Sequence, residues 1–163
     1  MHMVLMKKFE SDPDVVVFEA AALGVVVDGK IEADKQALRR AMSGLTKEIV
    51  LLPVNCNGNH WCAVMMNLKT GKVFVYDSSS SSYLLSVRAV AQTLILLLPE
   101  DVRPSARVQT YESGLGCQVD SYNCGVYVLL AFELFCGAEP LGYLSKKTLQ
   151  WLRYRYLQLC LEA

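Results

Sequence analysis

The sequence predicts one mixed domain, with a block of strands in the middle of the chain and helices on either side of it. Three observations lead there. Residues 48–54 form an apolar run too short for a typical helix, and two further strand-like segments follow within twenty residues. Segments before and after that block carry their apolar residues at helical spacing. The chain has 163 residues, 53% of them hydrophobic, enough for one sizeable core, and it shows no internal repeat or linker.

Taken in order, residues 1–29 are the least readable. Met1-His2-Met3 resembles a cloning remnant and His2 is given no role. Asp12-Pro13-Asp14 signals a turn, and residues 15–18 fit a strand or the start of a helix. Val25-Val26-Val27 before Asp28-Gly29 reads as a short strand running into a tight turn. Residues 31–42 place Ala33, Ala37, Leu38 and Ala41 on one helical face, closed by Gly44.

The run at 48–54 is a buried strand with Pro53 near its end, and residues 55–59 are a polar loop. Residues 60–67 and 72–76 form a hairpin about the turn Leu68-Lys69-Thr70-Gly71. Asp77 is followed by five serines, by composition a flexible surface loop. Residues 83–98 form a helix, apolar nearly all round and therefore buried, which Pro99 stops. A short strand is expected at 107–112. A core helix at 125–136 ends at Gly137, and a final amphipathic helix at 145–161 has Ser145 as its N-cap.

Composition excludes several functions. Sixteen basic residues balance sixteen acidic ones, so the basic excess of a nucleic-acid surface is missing. Cys56, Cys62, Cys117, Cys124, Cys136 and Cys160 include no C-x-x-C pair, and with two histidines no metal site is expected. No signal peptide is visible, so a reducing, intracellular setting is expected, cytoplasm or nucleus. The longest apolar run, 93–99, is too short to cross a bilayer.

The residues with chemistry are few. Cys124 stands at the first turn of the 125–136 helix, where unpaired N–H groups and the macrodipole favour a thiolate. The alternative is a small buried residue at the start of a core helix. If Asn67 faces Lys72 across the hairpin, Asp77 faces Cys62, and His60 shares that face two residues away. A carboxylate there fixes the tautomer of the imidazole and stabilises its charged form. The alternative is a casual contact at an exposed hairpin end. Gln118, in the loop before Cys124, is a candidate oxyanion donor or a solvated loop residue. Trp61 is a core aromatic or the wall of a substrate channel.

These motifs carry a resemblance. Residues 49–78 read I-V-L-L-P-V-N-x4-H-W-x-A-V, then V-F-V-Y-D-S, and residues 118–129 read Q-V-D-S-Y-N-C-G-V-Y-V-L. The pattern resembles the cysteine proteases specific for ubiquitin-like proteins (the sentrin/SUMO-specific type), and more distantly the adenoviral protease. The resemblance covers about residues 49–130. It implies a papain-like α+β fold with a mixed central sheet flanked by helices, in a single catalytic domain over 1–163. It also implies cleavage after the C-terminal Gly-Gly of a ubiquitin-like modifier, with SUMO, NEDD8 or ubiquitin and their conjugates as partners. His60 then corresponds to the general base, Asp77 to its orienter, Cys124 to the nucleophile, Gln118 to the oxyanion donor and Trp61 to a wall of the diglycine channel. No cofactor, nucleic acid or membrane is implied, and a monomer is expected. Family members usually carry a further tryptophan well before the histidine. Here the tryptophans are Trp61 and Trp151, so either the chain is a trimmed or divergent member or Phe18 or another apolar residue stands in. Two other functions share the constellation: an inactive member that binds a modifier without cutting it, and an effector-type acetyltransferase.

Overall fold

The computed structural model describes residues 1–24, 26–27, 31–32, 34–98, 100, 103 and 107–162, with the backbone alone for 26–27 and 31–32. Its centre is an antiparallel meander of β4 (Ile49–Cys56), β5 (His60–Asn67) and β6 (Lys72–Tyr76). Asn67 pairs with Lys72 and Ala63 with Tyr76, the register that the four-residue turn demands. Continued one step, it sets Asp77 opposite Cys62.

β4 runs two residues further than its apolar stretch, pairing Asn55 with Trp61 and Cys56 with His60. Asn57 and Gly58 adopt φ of 54° and 73°, the left-handed backbone that these two residue types tolerate best. Three residues therefore suffice for the turn, and His60 opens β5 directly. Pro53 lies inside the strand rather than near its end. The Leu51 carbonyl accepts from Phe18 N, so odd-numbered residues of β4 turn their backbone polar groups away from β5. The N–H that Pro53 lacks would face the gap between β1 (Val15–Val17) and β2 (Val26–Val27), which pair with opposite ends of β4.

Beyond these the sheet is mixed. β1 and β2 run parallel to β4, β3 (Ile31–Glu32) antiparallel to β2, and β7 (Gln109–Thr110) parallel to β6. Residues 15–17 are thus strand. The tight turn expected at Asp28-Gly29 lies outside the described residues. The strand expected at 107–112 shrinks to two residues, extended by Tyr111 N donating to the Val75 carbonyl.

Helices cover both faces. On one lie α2 (Lys35–Met42) and α3 (Tyr83–Leu97), over Val50, Leu52, Val54, Val64 and Met66. On the other lie α1 (His2–Phe9), α4 (Cys124–Phe135) and α5 (Lys146–Leu161), over Leu51, Ala63 and Met65. A sheet covered on both sides buries both sets of alternating residues, which is why β4 reads as one apolar run.

Two helical expectations need correction, and one helix was not expected. Residues 2–9, unreadable in the sequence, form a helix that buries Val4, Leu5 and Phe9. α2 begins at Lys35 instead of 31, because the Asp34 carboxylate accepts from Gln36 N and Ala37 N and starts the helix there, leaving Ile31 and Glu32 to β3. α3 is amphipathic in practice: Val87, Val90, Ala91 and Leu94 are buried, but Leu85 and Leu96 are 76% and 68% exposed. Pro99 lies outside the described residues. α5 begins as expected, with Ser145 Oγ accepting from Thr148 N at 3.1 Å. α4 is buried nearly all round, and its one carboxylate, Glu133, accepts from Tyr156 OH at 2.7 Å and from Arg155 at 3.0 Å. Lys8 lies 3.3 Å from the same carboxylate, so one buried charge ties α1, α4 and α5 together.

Candidate active site

His60 opens β5 and Asp77 follows β6, so the hairpin brings them together at one end of the sheet. His60 Nε2 lies 2.7 Å from Asp77 Oδ1. The imidazole is mostly buried and the carboxylate fully so. On its other side the ring stacks on Tyr83 of α3, with centroids 6.1 Å apart and planes 21° apart. Register sets the pair, and the stack restrains the ring.

The serine run is not the loose surface loop that its composition suggests. Ser79 N donates to Asp77 Oδ1 at 2.9 Å, and Ser81 donates to Oδ2 through both N (2.7 Å) and Oγ (2.5 Å). Ser78 is buried and donates to Gln118 Oε1 at 2.6 Å. Ser79 and Ser81 fold back on a carboxylate two and four positions behind them, the local side-chain–backbone pattern that Asp and Ser favour. Asp77 thus accepts four hydrogen bonds. Burial pushes its carboxyl up, but the bonds from His60, Ser81 and Ser79 more than offset this and bring it down from 3.8 to about 2.

A carboxyl depressed in the folded state adds stability above about pH 4 and loses it as pH falls toward 2, here roughly 2 kcal/mol. Ser81→Ala should therefore destabilise the protein at pH 6, with the gap to wild type narrowing between pH 4 and 2 in urea titrations. A gap independent of pH would mean that the hydroxyl serves something other than the carboxylate.

Cys124 is the first residue of α4 and 5% exposed. It lines an open groove of about 390 Å³ with Trp61, Gly125, Asn59, Ser121 and Arg153. Asn123 precedes the helix but does not cap it with its side chain. Its amide donates to Asp120 Oδ2 at 2.9 Å, and its Oδ1 accepts from Arg153 at 3.3 Å. The first N–H groups of α4 thus have no side-chain partner beside the cysteine, the setting that attracts an anion. Cys62 lies buried between the two halves of the site. A hydrogen bond with Cys56 and burial push its thiol strongly up, and the nearby Asp77 and Cys124 add to the shift.

Gln118 is held differently from expectation. It is 7% exposed rather than solvated, and its backbone N donates to the Ser78 carbonyl at 2.8 Å. Its amide nitrogen donates to the Asp120 carbonyl at 2.8 Å and to Asp120 Oδ1 at 3.1 Å. Asp120 also accepts from the Tyr122 and Asn123 N–H groups. Burial pushes its carboxyl up, and the bonds from Asn123, Tyr122 and Gln118 together outweigh that, leaving it below the usual range. Asp120 therefore organises the loop that delivers Cys124, a role hidden in the sequence because an Asp in a polar loop has no distinctive spacing. The structure joins His60 to Asp77 and Ser78 to Gln118 by hydrogen bonds. Cys124 is joined to neither pair by one; it shares its groove with Trp61, the residue that follows His60. Phe18 is not the second wall of the groove: it is buried on the α2–α3 face, whereas the apolar residue beside Trp61 is Met1.

Among the described residues, His60, Cys62 and Asp77 offer ligand atoms within 4.8 Å of one another. The carboxylate is already filled by four donors and the thiol is held protonated, so the trio behaves as a hydrogen-bonded dyad beside a buried thiol.

Known proteins share this frame. Human Sentrin-specific protease 8 is 30% identical over 123 residues, which cover 64% of this chain and 57% of the human protein. The C-terminal Ulp1 protease domain, solved in complex with SMT3, the yeast ortholog of SUMO, superposes with a TM-score of 0.73 at 20% identity. That match covers 98% of this chain and 74% of the domain. The Xanthomonas campestris effector XopD, solved bound to ubiquitin, gives a TM-score of 0.57 at 20% identity, over 94% and 84% of the two chains. The two structures establish the α+β fold. Residues 6–162 match the family model described as the C-terminal catalytic domain of the Ulp1 protease family. That span runs from the middle of α1 through α5 and takes in the whole sheet, so the chain belongs to the Ulp1 protease family.

Proposed function

We propose that this chain is a cysteine protease that cleaves after the C-terminal Gly-Gly of a ubiquitin-like modifier (SUMO, NEDD8 or ubiquitin). The observation that carries the reading is the His60 Nε2–Asp77 Oδ1 hydrogen bond at the sheet end that also carries Trp61, with Cys124 on the uncapped start of α4. Family membership and the likeness to human Sentrin-specific protease 8 support the substrate class. Asp77 engages Nε2, which leaves Nδ1 to take the Cys124 proton. The sulfur attacks the carbonyl carbon of the terminal glycine, and the carbonyl electrons move to oxygen. The first N–H groups of α4 and the Gln118 amide stabilise that oxyanion. To reach it the planar Gln118 amide rotates as a whole and exchanges its bonds to Asp120 for one to the oxyanion. The imidazolium protonates the leaving amine, and water, deprotonated by His60, then hydrolyses the thioester. Trp61 walls the path of the tail. All six cysteines are free thiols, which supports an intracellular setting, in cytoplasm or nucleus, for a monomer.

Electrophilic probes built on the C-terminus of each modifier test this, with covalent labelling read by mass shift. Labelling of Cys124 by at least one probe is expected. Binding of a modifier without labelling would leave a binding module, and no response to any probe would overturn the reading. Gln118→Ala should lower kcat by about 10²–10³ while sparing modifier binding, because the charge it meets exists only in the transition state. Cleavage of a modifier–fluorophore conjugate at the wild-type rate would assign the whole oxyanion contact to the helix N–H groups.

A further inference from the structure

α1 and α5 pack against each other, and their charges are one-sided. Together they carry Lys7, Lys8, Lys146, Lys147, Arg153 and Arg155 and no acidic residue. The rest of the chain carries ten basic residues against sixteen acidic ones, so the zero net charge conceals a cationic pair of helices. Lys8 and Arg155 pair with the Glu133 carboxylate, and Arg153 bonds Asn123. Lys7, Lys146 and Lys147 are exposed, and their ammonium groups meet no acceptor among the described residues. The same two helices hold six of the twelve large apolar side chains that are exposed among the described residues. These are Met3, Met6, Trp151, Tyr154, Leu157 and Leu161, 43–73% exposed. On α5 they recur every three or four residues, on the side away from the buried Leu149, Leu152 and Tyr156. One apolar stripe holds a helix to its core. α5 has a second, and it faces outward among cations. Scattered exposed apolar residues need no explanation, but a stripe rimmed by charge marks an interaction surface.

We infer that this face docks an acidic amphipathic helix of a partner protein. The partner's apolar side chains lie on Trp151, Tyr154 and Leu157, and its carboxylates meet the three unpartnered lysines. Charge sets the partner's sign, since a basic segment would be repelled by both helices. α5 spans 16 residues, a length over which a second helix places several apolar anchors at intervals of three and four. An anionic lipid surface also matches cations beside aromatic rings, but Gln150 and Gln158 decide against it. Each lies four residues from Tyr154 and is exposed on the same stripe. Sunk into a bilayer, both amides lose water and gain no partner, whereas a protein brings donors and acceptors to them. Trp, Tyr and Met are moreover the side chains in which protein interfaces are rich. Arg153 also lines the Cys124 groove, so the docked helix lies beside that groove without filling it. Binding uses none of the catalytic groups and holds whether or not the chain cleaves a modifier.

The test titrates the full chain against a fluorescein-labelled synthetic helix of about 18 residues, with a leucine stripe flanked by glutamates, and reads anisotropy. Binding with a Kd of about 1–100 μM is expected, weakened about threefold or more by raising NaCl from roughly 0.05 to 0.5 M. Trp151→Ala with Tyr154→Ser should weaken it about tenfold or more, since large aromatic anchors dominate such contacts. Lys146→Glu with Lys147→Glu should weaken it to a similar degree and flatten the salt dependence. All four positions are exposed, so both double variants should melt near the wild-type temperature, and iodoacetamide should alkylate Cys124 in them at the wild-type rate. A peptide of the same composition in scrambled order, its stripe destroyed, should bind about tenfold more weakly or worse. Equal binding of the scrambled peptide, undiminished binding by either double variant, or no binding at all would overturn the inference. Two other occupants would overturn it as well. Sedimentation with phosphatidylserine vesicles but no peptide binding gives the face to a membrane. A dimer that Trp151→Ala with Tyr154→Ser dissociates, while the peptide fails to bind wild type, gives it to a second copy of the chain.

Discussion

Cys124→Ala is expected to abolish cleavage of a modifier–fluorophore conjugate, a loss of about 10⁵–10⁶ in kcat, while the modifier binds the variant as it binds wild type. Cys124 supplies the thiol among the residues lining the groove, and removing it leaves Trp61, Gly125 and Arg153 in place. His60→Ala should cost nearly as much. The double variant should be no worse than either single one, because nucleophile and base act as a unit. Multiplicative losses in the double variant would mean that His60 does not take the Cys124 proton. The variant should fold, since a buried site of 5% exposure tolerates a small apolar side chain of nearly the same size. Circular dichroism and urea titration check that point beside the kinetics.

Asp77→Asn is the second large effect, with an expected fall of about 10⁴ in kcat and a loss of roughly 1–3 kcal/mol in stability. The shape is unchanged, so the argument is one of donors and acceptors. Both carboxylate oxygens accept: Oδ1 from His60 and Ser79 N, Oδ2 from Ser81 N and Oγ. An asparagine must present its NH₂ to one of these pairs. Toward Ser81 it meets a backbone N–H that cannot accept. Toward His60 it forces Nε2 to accept and moves the ring proton to Nδ1, so that Nδ1 can no longer take a proton as the proposed mechanism requires. Retention of activity within tenfold of wild type would mean that the carboxylate charge does not set the tautomer. The stability loss should shrink as pH falls toward 2, where wild-type Asp77 itself becomes protonated.

Much of this arrangement was legible from the chain because it depends on local spacing. A four-residue turn between 67 and 72 admits one register, and that register puts His60 and Asp77 on one face. The step from Asn123 into an apolar run predicted a helix start under Cys124, and Ser145 marked the start of α5. The matched family model and shared fold agree with the resemblance carried by the His60-Trp61, Asp77-Ser78, Gln118 and Cys124-Gly125 motifs. By itself, then, the sequence determined the central strands, the hairpin register, the helices after them and which residues were candidates, since each follows from periodicity or fixed spacing along one segment.

The tertiary structure decided what depends on residues distant in the chain or on side-chain direction. Five serines read as loose because composition reports mean polarity, whereas three of their donors turn back onto one carboxylate and a fourth reaches Gln118, forty positions away. Gln118 had the right spacing for an oxyanion donor, but the structure alone shows its amide bonded to Asp120. Met1 looked like a remnant, and only the packing of α1 against α5 brings it beside Trp61 and Gly125. Phe18 carried the right chemistry for a groove wall and went to the opposite core, because the β1 strand leading to it runs parallel to β4 and delivers it to the α2–α3 face. Spacing along a chain sets which residues share a face; which face meets which neighbour is settled only when every buried donor and apolar side chain has found its partner.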